Sequence, residues 1–185
     1  MTDDAPPNAL TGHRAIVFGA DTPPGRDLAA ALRDAGVTVG LTSTTTDGQA
    51  LFALKRAAAG GPAEAVDLAN PTSVRVATKK LRKALGGLEL AALVLDGAAL
   101  GRDPTAATEP LRIAAKEIAR GGDVGRVALV VIGVADPAAP QALELPGVDS
   151  AALLLDDTTD AGAVVQRALA WLAGCTTAAA AGPTR

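Results

Sequence analysis

Residues 15–36 read AIVFGADTPPGRDLAAALRDAG and hold, in order, a short apolar run, a turn with glycine and proline, and a helical segment. The run AIVFG is uniformly apolar, which is typical of a strand buried on both faces of a parallel sheet. The segment after the turn carries apolar residues at helical spacing, and a glycine follows as a stop signal: Leu28, Ala31, Leu32 and Ala35. This order of strand, turn and helix predicts the opening unit of an α/β domain.

The same alternation continues along the chain. Apolar runs predict five more strands, at residues 37–41, 64–68, 89–95, 126–134 and 151–155. Amphipathic segments predict further helices at about 49–59, 71–85, 108–120 and 160–173. Because crossovers between parallel strands are right-handed, the pattern predicts a doubly wound parallel sheet of about six strands, Rossmann-like, in a three-layer αβα arrangement. We expect a single domain over residues 11–174, with flexible tails at 1–10 and 175–185.

Composition limits the classes of function. A chain of 185 residues with 49% hydrophobic and 20% charged residues is typical of one globular domain. The net charge of −3 comes from interspersed charges, so we expect neither nucleic acid nor a membrane surface as a partner. The longest basic run, KKLRK at 79–83, falls in a predicted helix whose Val76 and Leu81 are expected to face inward. We interpret this run as a solvated helix face.

Cysteine and histidine usage predicts a cytoplasmic protein without a metal. The one cysteine, Cys175, excludes an internal disulfide, and together with a lone His13 it cannot supply a Cys/His metal cluster. The first residues, MTDDAPPNAL, lack the basic start and apolar core of a signal peptide. No apolar run approaches the length that spans a bilayer.

In a doubly wound sheet, ligands bind at the carboxyl ends of the strands, near the point where the strand order reverses. The loops after Val17, Leu41, Val66 and Leu95 should therefore share one crevice, and FGADTPPGR at 18–26 is the first of them.

Over roughly residues 10–135 the sequence resembles the short-chain dehydrogenase/reductase family, especially its ketoacyl-reductase branch. The segment GADTPPGRDLAAALRDAG is similar to that family's T-G-x-x-x-G-x-G loop and first helix. AVDLANPTSV resembles the Asp-hydrophobic segment beside the adenine ring, LVLDGAAL falls where the family has an Asn-Asn-Ala-Gly loop, and GRVALVVIGV resembles its fifth strand. The resemblance implies an NAD(P)-dependent oxidoreductase ancestry.

The resemblance also implies a cofactor site for NADP or NAD, built from the loops at the carboxyl ends of the strands. The second strand ends in hydroxyl side chains where NAD binders usually carry an acidic residue, which favours NADP over NAD. The cofactor-binding candidates are Gly19, Asp21, Thr22, Gly25, Arg26, Thr42, Ser43, Thr44, Asp67, Leu68, Asp96 and Gly97.

The first loop departs from the family pattern where a pyrophosphate would be held. Pro23 replaces the middle glycine, and Pro24 takes the position whose N–H would point at phosphate. Proline has no N–H to donate, and the carboxylate of Asp21 at the positive end of the helix repels an anion. We expect Thr22 or Asp21 to cap the helix and Gly25 to allow close packing.

The fourth loop also departs from the family pattern. Leu95 and Asp96 replace the two asparagines and add a negative charge. Weak cofactor binding is therefore predicted.

The catalytic half of the family pattern is missing. The family uses a Ser after its fifth strand and a Tyr with a Lys four residues later, because a nearby cation lowers the tyrosine pKa from about 10. This chain has no tyrosine, its last lysine is Lys116, and the Ser position is Val134 or Gly133. We predict no conventional catalytic residue.

Other side chains offer few alternatives for catalysis. Ser150 and Cys175 lack a nearby basic partner for a triad. Carboxylates near strand ends remain alternatives as an acid/base, although such residues are usually solvated: Asp136, Glu144, Asp149, Asp156 and Asp157.

Three hypotheses for function follow. The first is a degenerate short-chain dehydrogenase/reductase that binds a nucleotide-like small molecule weakly, or that forms a homo-oligomer or a hetero-oligomer with an active relative. The second is an NAD(P)-dependent oxidoreductase in which Asp96 or Asp136 replaces the missing acid. The third is a structural or regulatory interaction protein with no ligand. The sequence leaves enzyme activity open.

Overall fold

The computed structural model describes residues 9–97, 103–121, 125–133, 145, 147–155 and 161–174. The strands are β1 Arg14–Phe18, β2 Thr38–Thr42, β3 Ala63–Glu64, β4 Leu90–Asp96, β5 Gly125–Ile132 and β6 Val148–Leu155. The helices within these ranges are α1 Pro23–Asp34, α2 Gly48–Ala57, α3 Pro71–Leu85, α4 Pro104–Ala119 and α5 Ala161–Leu172.

All strand pairs are parallel, and the six strands lie in the order β3-β2-β1-β4-β5-β6. The central strand β1 pairs with β2 on one side, where Val17 is opposite Leu41, and with β4 on the other, where Val17 is opposite Ala92. The chain order reverses between β1 and β4, so this pair forms the topological switch point. The predicted doubly wound sheet is confirmed.

Each face of the sheet is covered by its own hydrophobic core, which confirms the three-layer arrangement. On one face, α1, α2 and α5 contribute Leu28, Leu54 and Ala168. On the other face, α3 and α4 contribute Leu81 and Ile118. Leu10, within the predicted N-terminal tail, is 4% exposed and belongs to the first core. None of the described helices is both long and apolar enough to cross a membrane.

Strand β3 is shorter than the sequence predicts, because side chains take over its backbone hydrogen bonds. The apolar run predicted a strand at 64–68, whereas β3 ends at Glu64. The Val66 N–H donates to Ser43 Oγ at 3.3 Å. Two residues on, Asp67 Oδ1 accepts the N–H of Ala69 at 3.0 Å, which starts a turn.

Helix α4 begins four residues before the predicted start at residue 108. Asp103 caps it by accepting the N–H of Ala106 at 3.0 Å, and Pro104 takes the first helical position, which proline favours. Pro110 lies buried inside the helix. The buried Thr108 hydroxyl donates to the Pro104 carbonyl at 2.7 Å. Strand β6 also begins earlier than predicted, at Val148.

Helix α3 has the predicted bounds, but one of its side chains faces the other way. Its buried residues are Val74, Ala77, Thr78 and Leu81, a stripe at the i, i+3, i+4 and i+7 positions. Val76 lies off this stripe and is 51% exposed, so the expectation that it faces inward was wrong. Leu81 is buried as predicted.

An ion pair joins the two central strands at their amino ends. The backbone N–H of Arg14 on β1 donates to Glu89 Oε2 at 2.8 Å, its Nε donates at 3.0 Å, and its Nη2 pairs with Oε1. Burial by itself would raise the pKa of Glu89, but the hydrogen bonds and charge of Arg14, with a smaller contribution from His13, lower this pKa below its usual value. The pair fixes β1 beside β4, and so fixes the switch point.

Candidate functional site

The switch point lies between β1 and β4, and it defines where a ligand crevice is expected at the carboxyl edge of the sheet. After β1 the chain turns to α1 on one face, and after β4 it continues to α4 on the opposite face. Doubly wound proteins bind ligands at the carboxyl edge of the sheet beside such a reversal, so the ligand crevice is expected there. Among the predicted site residues, Gly19, Asp21 and Thr22 lie in the first loop, and Asp96 and Gly97 open the second.

Two glycines keep the first loop close to the sheet. Gly19 has φ of 80°, and a Cβ there would collide with the Val94 carbonyl oxygen on β4. A Cβ on Gly25 would collide with the carbonyl oxygen of Gly19. The close approach of helix to strand predicted for Gly25 is therefore present, and the backbone has the tight course that a nucleotide loop needs.

The entrance of α1 is closed by its own hydrogen bonds. Thr22 is the N-cap: its hydroxyl donates to the Gly19 carbonyl at 2.7 Å and accepts the N–H of Gly25 at 3.2 Å. The N–H of Thr22 donates to the Gly19 carbonyl, and the N–H of Arg26 donates to the Thr22 carbonyl. Pro23 and Pro24 have no N–H. From residue 22 to residue 26, every backbone N–H is thus either bonded within the turn or absent.

Asp21 does not cap the helix but joins two loops of the crevice. Its carboxylate accepts the backbone N–H of Thr44 at 2.9 Å and the Thr44 hydroxyl at 2.7 Å. Since Thr44 follows β2, these bonds hold the first loop against the second-strand loop. The half-buried carboxylate is fixed at the positive end of α1, where it takes up the favourable interaction that a phosphate would use.

The hydroxyl residues after β2 also bond within the protein. The Thr42 carbonyl accepts the N–H of Ala20 at 2.9 Å. The Ser43 hydroxyl donates to the Thr45 carbonyl at 2.5 Å. The Thr44 hydroxyl donates to Asp21, as above. The Thr42 hydroxyl is buried and meets no partner in the described part of the chain. The hydroxyl protons of Ser43 and Thr44, two of the predicted cofactor-binding residues, are therefore engaged within the protein.

The remaining predicted site residues lie at the margins of this cluster. Asp67 is exposed and engaged in its own turn, and Leu68 is partly buried against the core beneath α3. Arg26 is exposed on the first turn of α1. Asp96 ends β4 opposite Ile132, and Gly97 follows it beside the Gly133 carbonyl. The hydrogen bonds thus unite Gly19, Asp21, Thr22, Gly25, Thr42, Ser43 and Thr44, but not Asp67 or Leu68.

The residues do not fit a tightly held pyrophosphate. Such a group needs backbone N–H donors at the helix entrance and no fixed anion beside it. Here the donors of residues 22–26 are satisfied internally or missing, and Asp21 contributes a negative charge. The side chains at this edge instead stabilise the protein itself: Thr22 caps α1, and Asp21 bonds to Thr44 in the neighbouring loop.

The lysines of this chain lie away from the crevice. All five, Lys55, Lys79, Lys80, Lys83 and Lys116, are in the C-terminal halves of α2, α3 or α4. Because these helices run antiparallel to the strands, their C-terminal ends lie at the amino edge of the sheet. Together with the absence of tyrosine, this placement leaves no Tyr–Lys proton donor at the carboxyl edge.

The alternative acid/base candidates divide into two groups. Asp149 and Ser150 lie at the amino end of β6, at the edge opposite the crevice, and Asp149 is 3.8 Å from Arg126. His13 precedes β1 at that same edge. The other candidates, Val134, Asp136, Glu144, Asp156, Asp157 and Cys175, lie outside the described residues. Among the residues that the structure describes, no group of three or more His, Cys, Asp or Glu side chains is arranged to hold a metal.

Comparison with known proteins identifies the fold. No protein-family model matches the sequence, and no curated protein sequence does. Solved structures match well. A short chain dehydrogenase from Mycobacterium smegmatis aligns with a TM-score of 0.68 and 16% identity, covering 90% of this chain and 87% of that one. The chain has the short-chain dehydrogenase/reductase fold. At this level the resemblance found in the sequence is confirmed.

Two further structures align over a smaller part of their length. A short-chain type dehydrogenase/reductase from Mycobacterium marinum gives a TM-score of 0.54 and 24% identity over 66% of this chain and 57% of that one. The hydroxysteroid dehydrogenase from Escherichia coli aligns with a TM-score of 0.56 and 19% identity, covering 71% of this chain and 60% of that one. The chain therefore spans less than two thirds of the length of these two proteins.

Two features of this fold have no local signal in the sequence. The Arg14–Glu89 pair at the amino edge has no local signal, since its partners are 75 residues apart. The Asp21–Thr44 junction likewise joins two loops that only the folded sheet brings together. In contrast, the KKLRK run was visible, but its pairing with charges on α4 required the packing of α3 against α4.

Proposed function

We propose that this chain is a degenerate relative of the short-chain dehydrogenases/reductases: a Rossmann-fold binding protein that does not reduce carbonyl groups in the usual way. The observation that carries the proposal is the closed entrance of α1, where the N–H groups of residues 22–26 are bonded internally or absent. An NAD(P) pyrophosphate would have to break one of these internal hydrogen bonds to gain a donor.

The expected loss of cofactor affinity follows from the missing donors. A hydrogen bond to a charged group contributes about 1.5–3 kcal/mol, so each donor lost weakens binding about tenfold to a hundredfold. We propose that any nicotinamide cofactor, NADP or NAD, binds weakly, because the Asp21 carboxylate lies beside Thr44 and the hydroxyl protons of Ser43 and Thr44 are engaged within the protein.

The catalytic proposal rests on chemistry that the chain lacks. Carbonyl reduction needs a proton donor held near the reacting oxygen. Without tyrosine, and with every lysine on the far half of its helix, the crevice has no such Tyr–Lys pair. The proposed role is therefore binding: a nucleotide-like small molecule held weakly, or a regulatory subunit in a homo-oligomer or with an active relative. The single cysteine is consistent with a reducing compartment, and we propose the cytoplasm.

Two solution measurements test this function. NADPH and NADH fluorescence should show no enhancement that saturates in the low micromolar range. Turnover should be absent with a broad panel of ketones and secondary alcohols in the presence of either cofactor. Steady hydride transfer with any of these substrates, abolished by Asp96→Asn but not by Asp103→Asn, would instead support an oxidoreductase with an unconventional acid.

A further inference from the structure

A second concave site lies at the opposite edge of the sheet, where α3 and α4 end. It is a cavity of about 490 Å³, within the range of about 300–1,000 Å³ that small-molecule sites occupy. The turn Gly86–Gly87 forms part of its wall, and four cationic side chains and one carboxylate line the rest: Lys79, Arg82, Lys83, Arg120 and Glu117.

Glu117 organises the two arginines of this cavity. Its side chain is only 5% exposed, and it accepts Arg82 Nη1 from α3 at 3.1 Å. The same carboxylate pairs with Arg120, one turn later on α4. A buried carboxylate that bonds both guanidinium groups fixes them in space without neutralising both, because one negative charge faces two positive charges.

The two lysines add charge that the described structure does not balance. Lys79 and Lys83 are exposed and four residues apart on α3, a spacing at which like charges repel. Within the described residues neither forms an ion pair, whereas the neighbouring Lys80 is 3.5 Å from Glu64. Helix dipoles favour cations only in the last turn. This accounts for Lys83 but not for Lys79, which lies six residues before the end of α3.

We propose that this cavity binds a small anion that carries two or more phosphate groups. Arginine forks and lysine ammonium groups are the side chains that bind phosphate oxygens, and here they converge from two helices. A chain of phosphates provides several charges in a small volume, as four cations around one carboxylate require. The site is at the amino edge of the sheet, so it is separate from the crevice at the carboxyl edge.

Inorganic pyrophosphate is the probe, titrated calorimetrically into the full chain at constant ionic strength set with sodium chloride. The wild-type protein should bind it saturably at one site. The double variant Lys79→Ser/Lys83→Ser should bind at least about tenfold more weakly, since it removes two charge-assisted donors. The matched control Lys55→Ser/Arg56→Ser removes two exposed cations from the end of α2 and should change the affinity by less than about twofold.

A single variant on the other helix tests whether the cavity, and not the α3 surface alone, holds the anion. Arg120→Ser should also weaken pyrophosphate binding, whereas Arg112→Ser, an exposed arginine on the same helix outside the cavity, should not. Thermal melting of each variant establishes that it is folded. Absence of saturable binding to the wild type would overturn the proposal, and so would equal loss in the site and control variants.

Discussion

The two edges of the sheet differ in the chemistry they present, although both are formed by the same helices. At the carboxyl edge, helices begin, and their N-caps are short polar side chains: Thr22, Asp47, Asn70 and Asp103. At the amino edge, helices end, and Arg33, Lys55, Arg56, Arg82, Lys83 and Lys116 lie in last turns. This distribution complements the helix dipoles at both ends.

The difference teaches how a nucleotide fold can be kept without its phosphate site. Capping α1 with Thr22 and placing prolines at its first two positions suits the helix, because those N–H groups would otherwise need a partner. The same choice removes the donors that a phosphate needs. The edge where this fold usually binds phosphate is thus poor in donors, and the opposite edge has the concentrated positive charge.

The largest expected effect comes from removing the Arg14–Glu89 ion pair at the amino edge of the sheet. Glu89→Ala should lower the free energy of unfolding by about 2–4 kcal/mol, because it leaves the partly buried Arg14 beside β4 without its carboxylate. Chemical denaturation with urea measures the loss. Glu64→Ala is the control, since the exposed Glu64–Lys80 pair should contribute less than about 1 kcal/mol. Similar losses in both variants would contradict the role of Glu89.

Restoring donors at the carboxyl edge should come next in size. Pro23→Gly/Pro24→Ile returns two N–H groups to the first turn of α1 and should tighten NADPH binding about tenfold to a hundredfold. Pro104→Gly returns one N–H at the start of α4, away from the α1 entrance, and should leave the affinity unchanged. Calorimetric titration with NADPH measures the affinity of the wild type, the double variant and Pro104→Gly. An unaltered affinity in the double variant would remove the prolines as the cause of weak binding.

A smaller gain is expected from the charge of Asp21. Asp21→Asn keeps an oxygen for the Thr44 N–H but removes the negative charge beside the α1 entrance. NADPH affinity should rise severalfold, in line with the roughly 0.3–1 kcal/mol of charge interactions at helix ends. Asp47→Asn at the cap of α2 is the comparison and should have no effect. The gain should shrink in high salt, and a gain independent of salt would argue against repulsion.

The smallest effect is on the pH dependence of stability. The folded protein lowers the pKa of Glu89 below the unfolded value near 4.5, so Glu89 stabilises the fold above that pH. This contribution is lost as the pH falls through the unfolded and then the folded pKa. In Glu89→Gln the acid limb of stability below about pH 4.5 should therefore be shallower than in the wild type. Parallel acid limbs for the two proteins would show that another carboxylate dominates there.

The sequence predicted the fold well, because periodicity and helix stop signals are local. Helix α3 begins and ends where Pro71 and Gly86 indicate. Prediction from the sequence failed where side chains replaced backbone hydrogen bonds. The Ser43 hydroxyl accepts the N–H of Val66, and β3 ends at Glu64. In the candidate site, the Thr22 cap followed from local rules, whereas the role of Asp21 depended on a loop 23 residues away. The basic run at 79–83 lies on a solvated helix face as predicted, since Lys79, Lys80 and Lys83 are exposed. Its proximity to Glu117 and Arg120 could not be predicted, because those residues come from a distant part of the chain.

The backbone amides of the α1 entrance test the central claim most directly. In ¹⁵N-labelled wild-type protein, the amide resonances of Thr22, Gly25 and Arg26 can be followed by NMR during a titration with NADPH. The Thr22 cap and its internal hydrogen bonds predict that these resonances move little and do not saturate below millimolar NADPH. Large shifts of the Gly25 and Arg26 amides that saturate at micromolar NADPH would contradict the account.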